Sequence, residues 1–272
     1  MLAQGDRHGI RMSERSIFIT GAGAGIGRAT ARLFAERGFM VGLYDVDEKG
    51  LEETARLLPG GSGAAARAVT GVLDVTDEKA FGDALTRFGE KTGGALDVMF
   101  NCAGILRMGK FDEISLADYD KQIAINVRGV IVGTRAVLPL LLRGTMKRIV
   151  NMSSASAVYG TPDMAVYSAT KFAVRGLTEA LDLELGPRGV RVCDVMPGYV
   201  ATNMVSSQTF RPKTLDTLGI KLTAEHVAKR VWDAAHGKDV HYFLQKDVAL
   251  LHRIGHLLPG FGRRIMKTYA GK

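Results

Sequence analysis

Short apolar runs alternate along the chain with longer stretches in which apolar residues recur at helical spacing. The runs are Ser16–Thr20, Met40–Tyr44, Ala68–Leu73, Leu96–Phe100, Arg148–Met152 and Val190–Val195, with a weaker seventh at Val240–Leu244. Between them lie Ile26–Arg37, Lys49–Leu58, Glu78–Lys91, Asp118–Leu142 and Tyr167–Leu185. Strand-length runs joined by helices predict a parallel sheet covered on both faces. Connections are short, no Pro/Ser-rich linker divides the chain, and no repeat of solenoid length is present. The expectation is a single doubly wound α/β domain of about seven strands. It spans 15–247, preceded by a polar tail at 1–14 and followed by an extension at 248–272.

Composition narrows the class. With 46% apolar and 24% charged residues in 272, the chain has the make-up of a globular protein. No run of about 18 uncharged apolar residues occurs, so no membrane-spanning helix is predicted. Met1–Glu14 lacks the apolar stretch of a secretory signal, and Met12 is an alternative start. Cys102 and Cys193 lie in apolar segments and read as small buried hydrophobes in a reducing compartment, so the expected location is cytoplasmic. The six histidines show no metal-ligand spacing. The net charge of +8 is concentrated late: Lys221 to Lys272 holds ten Lys or Arg against four Asp or Glu. No basic cluster with interleaved aromatics and no reader motif accompanies it, which excludes nucleic acid as an expected partner.

Ser16–Thr20 leads into Thr20-Gly21-Ala22-Gly23-Ala24-Gly25-Ile26-Gly27 and then a helix. Glycine lets a diphosphate approach the backbone, and the free N–H groups of the helix start favour the anion. The spacing is T-G-x-x-x-G-x-G, not G-x-G-x-x-G, whose last position falls on Arg28. Between a first strand and a first helix, such a turn marks a Rossmann-type nucleotide site. At the end of the second run Asp45 is placed to accept hydrogen bonds from the adenosine ribose hydroxyls. It would repel a 2′-phosphate; Val46 and Ala24 offer no cation to hold one, so NAD is expected over NADP. Asp47 is the better candidate for the cap of the next helix.

Tyr167-Ser168-Ala169-Thr170-Lys171 places a phenol and an ammonium one helical turn apart on one face. A cation near a phenol favours the phenolate and makes it usable as an acid or base. The segment follows a strand ending in Asn151-Met152-Ser153-Ser154. With the glycine pattern, these residues resemble the compact, single-domain branch of the short-chain dehydrogenase/reductase family, over about Ser16 to Thr202. Asn101-Cys102-Ala103-Gly104 is similar to that family's N-N-A-G segment, with cysteine at the second position.

The resemblance implies a catalytic tetrad of Asn126, Ser154, Tyr167 and Lys171. Ser154 is preferred to Ser153 because it lies thirteen residues before Tyr167, the family's usual interval. Tyr167 would take or give the alcohol proton, and Ser154 would bond the substrate oxygen. Lys171 would hold the nicotinamide ribose and bias Tyr167 toward ionisation. Asn126 would hold a water that passes the proton onward. The cofactor contacts implied are Gly21, Gly25, Ile26, Gly27, Asp45, Asp74, Val75, Asn101, Ala103, Gly104, Tyr167, Lys171, Pro197, Gly198, Val200 and Thr202. The resemblance also implies a homodimer or homotetramer.

Two segments bear on substrate. About Ala201 to Thr223 would form a mobile lid, with Val205, Phe210 and Leu218 offering apolar bulk. Met152, Met164, Met196 and Met204 fit either an apolar pocket or core packing. In the extension, Leu250, Leu251, Ile254, Leu257, Leu258, Phe261 and Ile265 recur at helical spacing, with a break at Pro259 and with Arg253, Arg263, Arg264, Lys267 and Lys272 beside them. A basic amphipathic segment reads as a peripheral membrane-surface element or as a helix packed on its own domain or a neighbouring subunit. The family's members with L-L-P tails act on lipidic alcohols, and this tail resembles theirs. The expected function is NAD(H)-linked interconversion of a secondary alcohol and a ketone on a fairly apolar small molecule. An NADPH-linked carbonyl or 3-oxoacyl reductase and a dinucleotide-sensing binding protein are the alternatives.

Overall fold

A computed structural model describes residues 15–61, 67–257 and 259–271, without the side chains of 254–261. The expected tail at 1–14 and the side chains of Ile254, Leu257, Leu258, Phe261 and Lys272 lie outside the described residues. Seven parallel strands form one sheet in the order β3-β2-β1-β4-β5-β6-β7. They are β1 (Ser16–Thr20), β2 (Met40–Asp45), β3 (Ala68–Val72), β4 (Val98–Asn101), β5 (Arg148–Met152), β6 (Arg191–Met196) and β7 (His241–Phe243). The order reverses between β1 and β4, and in such a sheet ligands bind at the carboxyl edge near that point.

Successive residues of a strand face opposite sides, and β1 shows both cores at once. Ile17 and Ile19 pack with Phe34 of α1 (Gly25–Glu36) and Val227 and Val231 of α9 (Ala224–His236). Phe18 points the other way, toward Phe81 and Phe88 of α3 (Glu78–Lys91) and Val137 of α5 (Gly129–Leu141). The second core also takes Leu185 from α6 (Ala165–Leu185). The expected α/β architecture is therefore the observed one.

Only β1 and β5 keep the expected bounds; the other strands shift by one or two residues at one or both ends, and two departures bear on the site. The fourth strand begins at Val98 instead of Leu96: Leu96 N donates to Leu140 O of α5 at 3.1 Å, while Asp97 O accepts from Arg148 N at 2.9 Å and its carboxylate accepts from Ser16 N at 2.9 Å and from Thr145 N at 2.8 Å. The helix expected over Asp118–Leu142 is interrupted. It consists of α4 (Leu116–Ile123), a π-turn at Ala124–Arg128, and α5. By composition Leu116–Leu141 is long and apolar enough to cross a membrane. In the domain it packs on α3, β4 and α6 and buries Asn126, Val130 and Leu141.

The remaining helices shape the carboxyl edge. After α2 (Glu48–Arg56), capped as expected by Asp47, the chain adds α7 (Asn203–Ser206) and α8 (Lys213–Leu218) beyond β6. After β7 come α10 (Lys246–Leu257) and α11 (Pro259–Tyr269), separated where Pro259 was expected to break the helix.

Candidate active site

The turn after β1 is built for close approach. Gly21 adopts φ 73°, and a Cβ there would lie 2.9 Å from the Ala103 backbone. A Cβ on Gly27 would sit 1.9 Å from Gly21 O, so only glycine lets α1 start against this turn. Thr20 Oγ1 accepts from Cys102 N at 3.1 Å and Ala103 N at 3.2 Å, which joins the ends of β1 and β4. No side chain caps α1 at Ala24, so its first N–H groups remain available to an anion.

At the end of β2, Asp45 accepts from Gly23 N at 2.9 Å and faces the same cleft. Arg28, the arginine of the turn, is directed elsewhere: it pairs with Glu53 at 2.9 Å and donates to Thr54 Oγ1 at 3.0 Å and to Gly23 O. Its guanidinium is thus already satisfied.

From β5 and α6 come the polar groups across the cleft. Ser154 donates to Pro197 O at 3.4 Å and lies beside the Tyr167 phenol. Ser153 instead donates to Lys171 O at 3.3 Å and is buried. Lys171 is 5% exposed, and its Nζ donates to Met152 O at 2.7 Å. The ammonium lies 5.5 Å from the Tyr167 ring centroid.

The expected bias of Tyr167 toward ionisation needs correcting in this geometry. Burial pushes the phenol up to about 12, against the lowering effect of Ser154, and Lys171 is turned to Met152 O. Burial also pushes Lys171 down to about 8. Desolvation thus shifts both groups toward their neutral forms; near pH 7 the phenol is protonated, while Lys171, at about 8, remains mostly an ammonium.

Asn126 is carried, buried, by the π-turn. Its Oδ1 accepts from Ile105 N at 2.8 Å and its Nδ2 donates to Ile105 O at 2.9 Å and Thr170 Oγ1 at 3.2 Å. With both amide atoms engaged, the side chain pins the segment after β4. A Cβ on Gly104 would lie 3.2 Å from Asn126 Oδ1 and 3.9 Å from Lys171 Nζ, so the two residues flank one narrow gap.

One cavity of about 510 Å³ joins these parts. Its walls include Gly21, Gly25, Ile26, Gly27, Asp45, Ala103, Gly104, Ser154, Tyr167, Lys171, Pro197, Gly198, Val200 and Thr202. Three expected cofactor contacts are not among its walls. Asp74 is exposed and accepts from Thr76 N at 2.9 Å, Val75 packs against Gly129, and Asn101 donates to Asn151 Oδ1 at 2.8 Å. Of the four methionines, Met152, Met164 and Met204 reach the cavity, whereas Met196 is in the core. From the lid, Val205 and Leu218 line it, and Phe210 packs behind with Met108.

Of the alternatives left open for the extension, packing on its own domain is the one its described residues take. Leu250, Leu251, Ile265, Met266 and Tyr269 line the cavity, and Gln245 accepts from Gly198 N at 3.1 Å. Leu251, Ile265, Met266 and Tyr269 thus face their own domain, while Leu250 stays half-exposed at the cavity mouth. Gln245 carried no signal in the sequence, since its role depends on the return of β7 beside β6.

A family model for short chain dehydrogenases matches residues 15–212. The chain belongs to the short-chain dehydrogenase/reductase family. It is similar to the oxidoreductase UcpA of Salmonella typhimurium, 37% identical over 198 residues that cover 72% of this chain and 73% of the relative. Levodione reductase from Leifsonia aquatica is 33% identical over 246 residues, 88% of this chain and 90% of that one. A short-chain dehydrogenase/reductase from Burkholderia phymatum, solved in complex with NAD, superposes with a TM-score of 0.79 at 27% identity, over 90% of this chain and 93% of that chain. As a member of this oxidoreductase family, the chain is an enzyme acting on CH–OH groups.

Proposed function

We propose that this short-chain dehydrogenase/reductase interconverts a secondary alcohol and a ketone on an uncharged, largely apolar molecule, with NAD(H) as the preferred cofactor. The observation that carries this reading is the cavity itself: among the described residues its charged walls are Asp45, Lys171 and Asp247, and no arginine is among them. A phosphorylated or acidic substrate would find no cation on the apolar side, where Leu106, Tyr159, Val205 and Leu251 stand.

The residues present fit a dinucleotide. Gly21 and Gly27 leave the space that a Cβ would fill, and the uncapped start of α1 faces it. Asp45 would take the ribose hydroxyls and repel a 2′-phosphate, and the nearby Arg28 is already engaged with Glu53. When bound, the nicotinamide supplies the hydride acceptor or donor; the protein supplies position and electrostatics. Ser154 orients the substrate oxygen, Tyr167 holds or takes its proton, and Lys171 holds the nicotinamide ribose. Asn126 acts by position, through Ile105 and Gly104.

Two tests follow. A panel of secondary alcohols and ketones, read by nicotinamide absorbance with both cofactors, should show turnover of apolar substrates and preference for NAD. Turnover confined to charged substrates overturns the reading. Replacing Asp45 by alanine should narrow the ratio of NAD to NADP affinities at least about tenfold, the equivalent of about 1.4 kcal/mol. An unchanged ratio would show that the carboxylate does not select the cofactor. The exposed side chains Ile123, Ile131 and Phe172, on α4 to α6, suit the homo-oligomer proposed with this function. Light scattering should give a dimer or tetramer mass, reduced when Ile131 and Phe172 are changed to aspartate.

A further inference from the structure

The helix α11 has two faces of different chemistry. Gly262, Ile265, Met266 and Tyr269 recur at helical spacing on the inner side: a Cβ on Gly262 would meet the Tyr159 ring at 2.7 Å, and the other three line the cavity. Arg263, Arg264 and Lys267 fall on the outer side and are exposed. The C-terminal end of α11 is fixed to α8 by Thr217 Oγ1, which donates to Tyr269 O at 3.1 Å. There Lys213 of α8 adds a fourth exposed cation, its Nζ 3.7 Å from a Cβ built on Gly271. None of these four forms an ion pair among the described residues. From Lys246 to Lys272 the chain has six Lys or Arg and one acid, Asp247.

Beside this basic face is the mouth of the cavity, where large apolar side chains meet solvent. Leu250 is 57% exposed and Met204 38% exposed although both line the cavity, and Ile220, next to the lining residue Gly219, is 44% exposed.

We propose that the face formed by α11 and the cavity mouth docks on an anionic lipid surface, so that an apolar alcohol or ketone passes from the bilayer into the site. The charge complementarity comes from Arg263, Arg264, Lys267 and Lys213, and the rim of Leu250, Met204 and Ile220 meets the acyl boundary. Because the inner face of α11 is the cavity roof, the helix binds by its charged side and keeps its apolar side on the pocket. This rests on the reading of the cavity as the site of an apolar substrate.

The test is co-sedimentation of the full chain with vesicles of phosphatidylcholine alone and of phosphatidylcholine with phosphatidylglycerol, at low and high salt. Binding is expected only to the anionic vesicles and should fall with salt. Changing Arg263, Arg264 and Lys267 together to glutamate should weaken binding by about 100-fold, since each cation near such a surface contributes about 1 kcal/mol. Changing them to glutamine keeps the test decisive should the reversal disturb folding, which NADH fluorescence and thermal unfolding report. A control with Lys91, Arg188 and Lys238 changed to glutamate carries the same charge difference at the opposite edge of the sheet and should retain most of the binding. The proposal is overturned by an absence of binding to anionic vesicles at low salt, or by a control that loses as much as the α11 variant. Sedimentation needs no turnover, so failure of the alcohol panel and failure of docking are separate results.

Discussion

Tyr167→Phe is expected to lose at least about 10³-fold in kcat, the range that a positioned acid–base group supplies, while NADH binding and Tm stay close to wild type. The phenol ring lies against the site, so phenylalanine preserves the packing and removes the one proton-bearing atom. The same reasoning gives a direction for pH. With burial holding the phenol at about 12, it is protonated near neutrality and suited to donate to a ketone. Alcohol oxidation needs the ionised form, so its kcat/KM should rise with pH through neutrality by up to about tenfold per unit. Ketone reduction should lack that rise. Stopped-flow measurement of both directions separates the two profiles. A phenylalanine variant that keeps more than a tenth of the wild-type kcat would remove Tyr167 from its role.

How much of this was legible beforehand depends on what kind of interaction fixes each element. The central strands β1, β4 and β5 are apolar runs buried on both faces, and their pattern marks them without reference to the rest of the chain. The glycine turn was equally legible, because the clash at Gly27 is local and involves Gly21, six residues away. Asp47 was identifiable as a cap for the same reason: it bonds Gly50 N, three residues on.

What escaped the sequence depends on long-range partners. Leu96 reads as part of a strand because it begins an apolar run, yet its N–H donates to Leu140 O and not to a neighbouring strand. The π-turn around Asn126 inserts a residue into an otherwise regular apolar period, and no residue type marks it. Its cause is visible only in space, where Asn126 must reach Ile105 and Thr170. The extension makes the point most clearly. Its amphipathic period was readable, but periodicity does not say what the apolar face covers. Tyr159, Leu218 and Ile265 come from three distant segments, and the pocket exists only where they meet.

The proton balance of Tyr167 was misdirected by the same limit. Spacing puts Lys171 one turn from the phenol, but it does not say where Nζ goes. In the structure Nζ goes to Met152 O, and burial then governs both groups. The pair is held ready, with its ammonium committed to a backbone carbonyl, and the ribose that the proposed function assigns to Lys171 would have to draw on the same donor group.

Lys171→Met should therefore separate stability from activity. The side chain is 5% exposed, and its pKa is pushed down from 10.5 to about 8, which corresponds to a penalty on the charged form of order 3 kcal/mol at neutral pH. Methionine removes that penalty while filling a similar volume; the bond to Met152 O is lost, at about 1 kcal/mol. The cofactor-free variant should thus be more stable than wild type by about 2 kcal/mol at pH 7, read by urea unfolding. The sign can be checked against pH. Between about 8 and 10.5 the unfolded chain binds the Lys171 proton and the folded chain does not, so wild-type stability gains a rising contribution across that window. The variant should lack it. Turnover should fall at least about 10²-fold, with weakened NADH binding, because among the described residues no other cation lines this cavity to hold the ribose. A methionine variant that is less stable at pH 7 would mean that Met152 O and the packing around Nζ outweigh desolvation. One that binds NADH as wild type does would place the ribose elsewhere.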